Sequence, residues 1–264
     1  MKQRVLTAIL IIAIAIPLLI IGKVPFAVAI AVISVGGFYE LVKLREGENK
    51  LPTLMKVIAS VLLVLLTLVQ GGTSYEFAVD YRITTAVIFF LTIPIIFYNK
   101  NKYNITDALF LIGSVFFLGL AFNYFIAVRN LGLNNLIFLL LITVFTDTFA
   151  YFTGMLIGKH KMSPNISPKK TWEGFAGGLV FGTFISTCFY YTAFSFDGSL
   201  IALIFAIACL SIIGQIGDLV FSAIKRYYGV KDYSNLLPGH GGILDRVDSI
   251  LFVLLAFSFI STYL

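Results

Sequence analysis

Charge is scarce in this chain. Asp, Glu, Lys and Arg make up 12% of its 264 residues, where a soluble domain averages roughly 25%. So little charge cannot clothe a water-facing globular surface, and a soluble fold is excluded. Cysteine is scarce too. Cys188 and Cys209 are the only two, and both fall in apolar runs, which excludes a disulfide framework and predicts two small buried residues. There is no internal repeat and no low-complexity tail. The formal net charge of +6 does not point to nucleic acid. In a chain this apolar, Lys and Arg first report topology and contact with anionic headgroups.

Apolar residues fill the space that charge leaves, at 59% of the chain with a mean hydropathy of +0.98. The expected fold class is all-α, a polytopic integral membrane protein. A spanning helix needs roughly 20 mostly apolar residues. Nine segments qualify, at 5–21, 24–41, 57–70, 83–98, 105–128, 136–157, 174–196, 200–224 and 243–264. The third is short, and reads as tilted, re-entrant or extended back to Leu54. The first two are parted only by Gly22-Lys23, which predicts a tight hairpin or a broken helix. Lys2 and Arg4 before an apolar run resemble a signal peptide, but no soluble domain follows, so a retained first span is expected. Of the 19 basic residues, only Lys23, Arg82 and Arg129 lie in odd-numbered loops. The N-terminus and the even loops are therefore expected on the cytoplasmic side of the cell (inner) membrane. Residues 1–264 read as a single transmembrane domain, with 1–56 a peripheral N-terminal hairpin unit and 140–264 the catalytic part.

Against that background, residues 222–248 concentrate polar chemistry. Lys225, Arg226, Lys231 and Arg246, with Asp232, Asp245, Asp248 and His240, surround Pro238-Gly-His-Gly-Gly242. Asp218 lies deep in the eighth segment, where a carboxylate normally faces a cavity, an ion or a partner. Asp218, Ser222 and Lys225 are spaced i, i+4, i+7 and share one helix face. Asp245 and Asp248, spaced i, i+3, suit either capping by the helix dipole or oxygen ligation of a divalent ion. The glycine-rich run offers backbone N–H groups to an anion or is an ordinary flexible turn.

A second cluster runs from Asp147 to Gly174. Asp147 is an acid within an apolar span. Tyr151, Gly154 and Gly158 share its stripe, and Gly174, Gly178 and Gly182 continue as small residues that permit close helix approach. Ser167-Pro168 reads as a helix N-cap followed by proline at the first helical position. That places Lys169 and Lys170 in a first turn, where cations make sense if an anion is held there. Glu40, Asp107 and Glu76 read as solvated groups.

The stretch from Ser222-Ala-Ile-Lys-Arg through Lys-Asp-Tyr-Ser-Asn-Leu-Leu-Pro-Gly-His-Gly-Gly-Ile-Leu-Asp-Arg-Val-Asp248 resembles the signature of the phosphatidate cytidylyltransferases, also called CDP-diacylglycerol synthases. Ile166-Ser-Pro-Lys-Lys-Thr-Trp-Glu-Gly174 is similar to the same family. The resemblance implies CMP transfer from CTP to phosphatidic acid, a cytoplasm-facing site, a homodimer, and Mg²⁺, with a monovalent cation such as K⁺ beside it. Asp218 and Asp245, acids of adjacent spans on one membrane face, are expected to hold the metal, with Asp248 a further ligand or a group behind them. Lys225, Arg226 and Arg246 are expected on phosphates, and Ser222 and His240 as orienting groups. Lys169, Lys170, Glu173, Asp147, Lys231, Asp232 and Asn235 complete the expected substrate contacts. A polyprenol kinase that releases CDP, and an ion-coupled transporter, are the competing readings.

Overall fold

The computed structural model describes residues 2–47, 50–69, 80–195 and 198–261. Among these residues are nine α-helices and one two-stranded hairpin. They run α1 (Lys2–Ile21), α2 (Lys23–Arg45), α3 (Thr53–Leu68), α4 (Tyr81–Thr92), α5 (Ile105–Leu131), α6 (Leu133–Ile157), β1 (Lys161–Ser163), β2 (Ser167–Thr171), α7 (Trp172–Ala193), α8 (Leu200–Tyr227) and α9 (Leu244–Ile260). Each expected apolar segment contains a helix. Five of them, α2, α5, α6, α7 and α8, are long and apolar enough to cross a bilayer. The apolar part of α1, α3, and α4 with its 3-10 extension to Ile96 are shorter, and α9 has 17 residues. Val32, Phe184, Ile201 and Phe205 are among many large apolar side chains left exposed, as expected where lipid is the solvent. The expected segment ends at Gln70, Phe196 and Leu264, and Glu76, lie outside the described residues.

The chain packs as two compact units, Met1–Leu131 with Asp232–Arg246, and Gly132–Lys231 with Val247–Leu264. In the first, α1 and α2 are parted by a break at Gly22 (φ 63°) and Lys23 (φ 49°), both in the left-handed region. A break there frees the last carbonyls of α1, which are costly to leave unpaired in lipid. Arg129 of α5 takes them, donating through Nε to the Leu19 carbonyl and through Nη2 to that of Ile20 at 2.9 Å. Its guanidinium lies where a Cβ on Gly22 would come within 2.8 Å. Asn123 of α5 does the same for α3, donating to the carbonyls of Leu66 and Thr67, each at 3.2 Å, and to that of Val69.

Asp107 is corrected by this unit. It is buried rather than solvated, and Arg45 donates to its Oδ1 at 2.9 Å. Close by in sequence, the buried Tyr103 hydroxyl donates to the Leu91 carbonyl at 2.6 Å. Burial, with the charge of Asp107 adding to it, pushes the Tyr103 phenol up.

In the second unit, α6 and α7 run antiparallel at unusually close range. A Cβ on Gly174 would lie 2.7 Å from the Ala150 carbonyl, and one on Gly178 would lie 2.6 Å from that of Thr146. The small-residue stripe is therefore a packing device, as its spacing suggests. Between these helices the expected cap at Ser167-Pro168 is overturned. Ser167–Thr171 is strand β2, paired antiparallel with β1 in the register Lys161 to Thr171 and Ser163 to Ser167. The lone hairpin has only edge strands, and an edge accommodates Pro168. The true N-cap of α7 is Thr171, whose Oγ1 accepts from the Gly174 N–H at 3.1 Å. Lys169 and Lys170 thus sit on a strand and not in a helical turn. Cys188 also differs from expectation, since it is exposed on α7, while Cys209 is half-buried and both are free thiols.

Close approach of α6 and α7 makes a simple test. Gly178→Ala should lower stability by about 1–3 kcal/mol through overpacking against backbone. Gly113→Ala, whose Cβ meets nothing within 4 Å, should be neutral. Thermal unfolding in detergent compares the two.

Candidate active site

Four elements of the second unit bring charge to one place. α8 supplies Asp218, Ser222 and Lys225 from one face, α6 supplies Asp147, α9 supplies Asp248 and Ser249, and β2 supplies Lys170. Lys170 Nζ pairs with Asp218 Oδ2 at 2.7 Å and also donates to the Gln215 carbonyl at 3.2 Å. Ser222 Oγ donates to Asp218 Oδ1 at 3.3 Å. Ser249 Oγ donates to Asp147 Oδ2 at 3.2 Å, and Asp248 Oδ1 accepts from the Ser249 N–H at 2.8 Å. Asp248 lies within electrostatic range of Asp218, Asp147 and the buried Lys225, and Asp147 within range of Asp218 and Lys170.

Depth gives this cluster its character. Asp218 and Asp147 lie about 14 and 15 Å from the C-terminal ends of α8 and α6, at 1.5 Å per residue. A carboxylate so far inside an apolar helix is a candidate functional group. The side chains of Lys170 and Asp218 remain 26% and 28% exposed, so solutes can reach them. Behind them the Thr146 and Ser211 hydroxyls pair at 2.9 Å in the core, and Gln215 Nε2 donates to the Phe175 carbonyl at 3.3 Å. These bonds fix the rotations of α6, α7 and α8 that aim the acids together.

Three carboxylates face two ammonium groups here, which leaves negative charge for a cation to balance. All the donors are oxygens, the set that suits a hard ion such as Mg²⁺. Among the described residues no group of three or more Asp, Glu, His or Cys side chains is placed to hold a metal ion. Mg²⁺ does not need one, since it commonly takes one or two carboxylates and fills the rest with waters and phosphate oxygens.

Other predicted residues have observed tasks of a different kind. Arg226 is exposed, and donates through Nε to the Ile166 carbonyl at 3.1 Å and through Nη1 to that of Val230 at 3.0 Å. It thereby pins the tip of the hairpin to α8. Glu173 holds the base of that hairpin, bonding His160 Nδ1 at 2.6 Å and accepting from the His160 N–H at 3.2 Å. Lys169 and Lys231 are exposed. Ser249, Gln215 and His160 went unread in the sequence because nothing in their local pattern sets them apart.

The glycine-rich loop belongs to the first unit and is tightly built. Asp245 Oδ2 accepts from the N–H groups of Tyr233 and Gly242, each at 2.9 Å. Leu237 and Gly241 pair across the turn, and the His240 N–H donates to the Leu237 carbonyl at 2.8 Å. Gly239 (φ 77°) and Gly241 (φ 80°) occupy the left-handed region, so a side chain at either position would strain the turn. Arg246 Nε donates to the His240 carbonyl at 2.7 Å. The Nδ1 atom of His240 is buried with no hydrogen-bond partner. Asp232 and Asn235 are exposed on the same loop. Glu40, read from sequence as solvated, is instead 5% exposed beneath it. Its Oε1 accepts from Ser234 Oγ at 2.6 Å and the Ile243 N–H at 2.8 Å, and its Oε2 from the Leu244 N–H at 2.9 Å.

Long apolar helices that enclose a carboxylate–lysine cluster define a helical membrane protein with charge built into one of its units. The chain matches the Cytidylyltransferase family over residues 2–264 and belongs to that family; it is a nucleotidyltransferase. It is 39% identical over 260 residues to the phosphatidate cytidylyltransferase of Bacillus subtilis (strain 168), covering 96% of this chain and 95% of that protein. It is 38% identical over 255 residues to the protein of that name in Staphylococcus haemolyticus (strain JCSC1435), covering 96% of both. The corresponding figure for Staphylococcus aureus (strain COL) is 36% over 254 residues, again covering 96% of each.

The Lys170–Asp218 pair can be measured directly. A double-mutant cycle on thermal stability, combining Lys170→Met with Asp218→Asn, should give a coupling of about 0.5–3 kcal/mol. Additive effects would contradict the pair.

Proposed function

We propose that the protein transfers CMP from CTP to phosphatidic acid, yielding CDP-diacylglycerol and pyrophosphate. The observation that carries this reading is the carboxylate–lysine cluster of Asp147, Asp218, Asp248, Lys170 and Lys225. The signature around it and the names of the relatives supply the substrate class. A phosphatidate oxygen attacks the α-phosphorus of CTP. The new P–O bond forms as the bond to the β-phosphate bridging oxygen breaks, and pyrophosphate leaves with that electron pair. Phosphatidate is already an anionic nucleophile, so no covalent enzyme intermediate is required, and catalysis is positioning plus electrostatics.

Asp218 and Asp248 are the residues we assign to Mg²⁺, with Asp147 beside them; Asp245, expected from the sequence as a ligand, is instead assigned to holding the loop, since its Oδ2 accepts from the Tyr233 and Gly242 N–H groups. When bound, the ion would offset triphosphate charge and stabilise charge developing on the phosphoryl oxygens. Lys170 holds Asp218 in place in the resting protein and is free to exchange that partner for phosphate. Lys225, buried near Asp248, supplies fixed positive charge where water screens little. His240, on the loop of residues 232–243 whose N–H groups at Tyr233, Leu237, His240, Gly242 and Ile243 are engaged within the unit, is assigned to phosphate contact.

The distribution of Lys and Arg supports nine membrane crossings with the N-terminus, the even loops and the active site on the cytoplasmic face of the inner membrane. There a soluble triphosphate and a headgroup-level phosphate can meet. The homodimer and a monovalent cation such as K⁺ rest on the family resemblance alone.

Pyrophosphate release by purified protein, with CTP, phosphatidate and Mg²⁺ omitted in turn, tests the reading. All three should be required, and Asp218→Asn should cut the rate by about 100-fold or more in a protein that still folds. Release of CDP in place of pyrophosphate, or near-normal turnover by Asp218→Asn, would contradict it.

A further inference from the structure

Glu40 lies near the end of α2, and its only outward sign in the sequence is an acid at the edge of an apolar run. Its three bonds all come from the loop and the helix start more than 190 residues away. Two of the donors, the N–H groups of Ile243 and Leu244, stand at the beginning of α9, where backbone donors have no acceptor within their own helix. A carboxylate at that position is also favoured by the helix dipole. Glu40 therefore caps α9 from a different helix. Gly37 of α2 allows the approach, since a Cβ there would come within 2.8 Å of the Leu244 side chain. Gly242 faces Glu40 so closely that a Cβ would lie 2.6 Å from its Oε1.

The loop is thus gripped by two acids, Glu40 from α2 and Asp245 from α9. Neither acid touches the buried Nδ1 of His240, which is left without a partner. The loop's backbone is held at Tyr233, Leu237, His240, Gly242, Ile243 and Leu244, while the buried Nδ1 of His240 is left without a hydrogen-bond partner. Arg246, joined to the His240 carbonyl, is carried with it. Asp248 follows two residues later on the same helix.

We propose that Glu40 is a positioning residue for the transfer reaction, holding the glycine-rich loop and the first turn of α9 in the arrangement that presents His240 and Arg246 to phosphate. This rests on the transferase function proposed above. It gives the N-terminal helices, which carry no motif of their own, an indirect role through the loop they hold. Glu40 itself contacts no substrate in this account and acts through the groups it holds.

Glu40→Gln keeps the size of the side chain but removes its charge and replaces one acceptor oxygen with an NH2 group that cannot accept from the N–H donors it faces. The test combines hydrogen–deuterium exchange with kinetics on the purified full chain in detergent. In Glu40→Gln, exchange over residues 234–244 should accelerate by about tenfold or more while α3 and α5 stay protected. Pyrophosphate release should lose about 10- to 100-fold in kcat, with KM for CTP and for phosphatidate changed by less than about threefold. Ser234→Ala, which removes one of the three donors, should show the same pattern more weakly. A uniform rise in exchange across α2, α3 and α5, with the folded fraction keeping wild-type kcat, would reduce Glu40 to a stability residue and overturn the inference. An active wild type matched by an equally active Glu40→Gln would overturn it alone. A wild type without pyrophosphate release would overturn the transferase reading and this inference with it.

Discussion

Carboxylates placed among apolar helices must be compensated where they stand, and much of this structure follows from that requirement. Asp218 is about 14 Å from the C-terminal end of α8. Though its side chain stays 28% exposed, it is met by Lys170 from β2 and by Ser222 one turn along its own helix. Asp147 is met by Ser249, and Asp248 by a backbone N–H and the nearby charge of Lys225. Meeting these demands fixes how α6, α8 and α9 are rotated, and it explains why a hairpin from the α6–α7 connection is drawn onto α8. The compensation is incomplete, with three acids against two lysines. That imbalance is the property the proposed chemistry uses, because an incoming cation would offset it.

The same rule applied to backbone groups organises the N-terminal helices. Breaks and ends within an apolar environment expose carbonyls or N–H groups that water does not satisfy. Arg129, Asn123 and Glu40 each serve the end of a helix other than their own. Two of them take carbonyls at C-termini, and the acid takes N–H groups at an N-terminus, as charge and donor type require. A polar side chain in these helices is therefore first a cap. Only where capping also holds a reactive loop, as at Glu40, does it bear on function.

How much of this was legible in the sequence follows from the range of each interaction. Hydropathy is local, so every helix was foreseen, and the i, i+4, i+7 spacing placed Asp218, Ser222 and Lys225 on one face. Small residues at 154, 158, 174, 178 and 182 announced close packing. Ser167-Pro168 misled because it has the pattern of a helix start, while the pairing of Ser167 with Ser163 that overrides it depends on the intervening turn. Glu40 and Asp107 were missed because their partners are 194–204 and 62 residues away. No property of an isolated acid at a span end distinguishes one that reaches water from one that reaches a distant backbone.

The central claim is that the acid cluster of α6, α8 and α9 holds a divalent cation with the nucleotide. Electron paramagnetic resonance of Mn²⁺ in the presence of CTP tests it most directly. The account predicts one tightly held Mn²⁺ per wild-type chain, displaced by Mg²⁺, and its loss in both Asp218→Asn and Asp248→Asn. Undiminished Mn²⁺ binding in those two variants would contradict it.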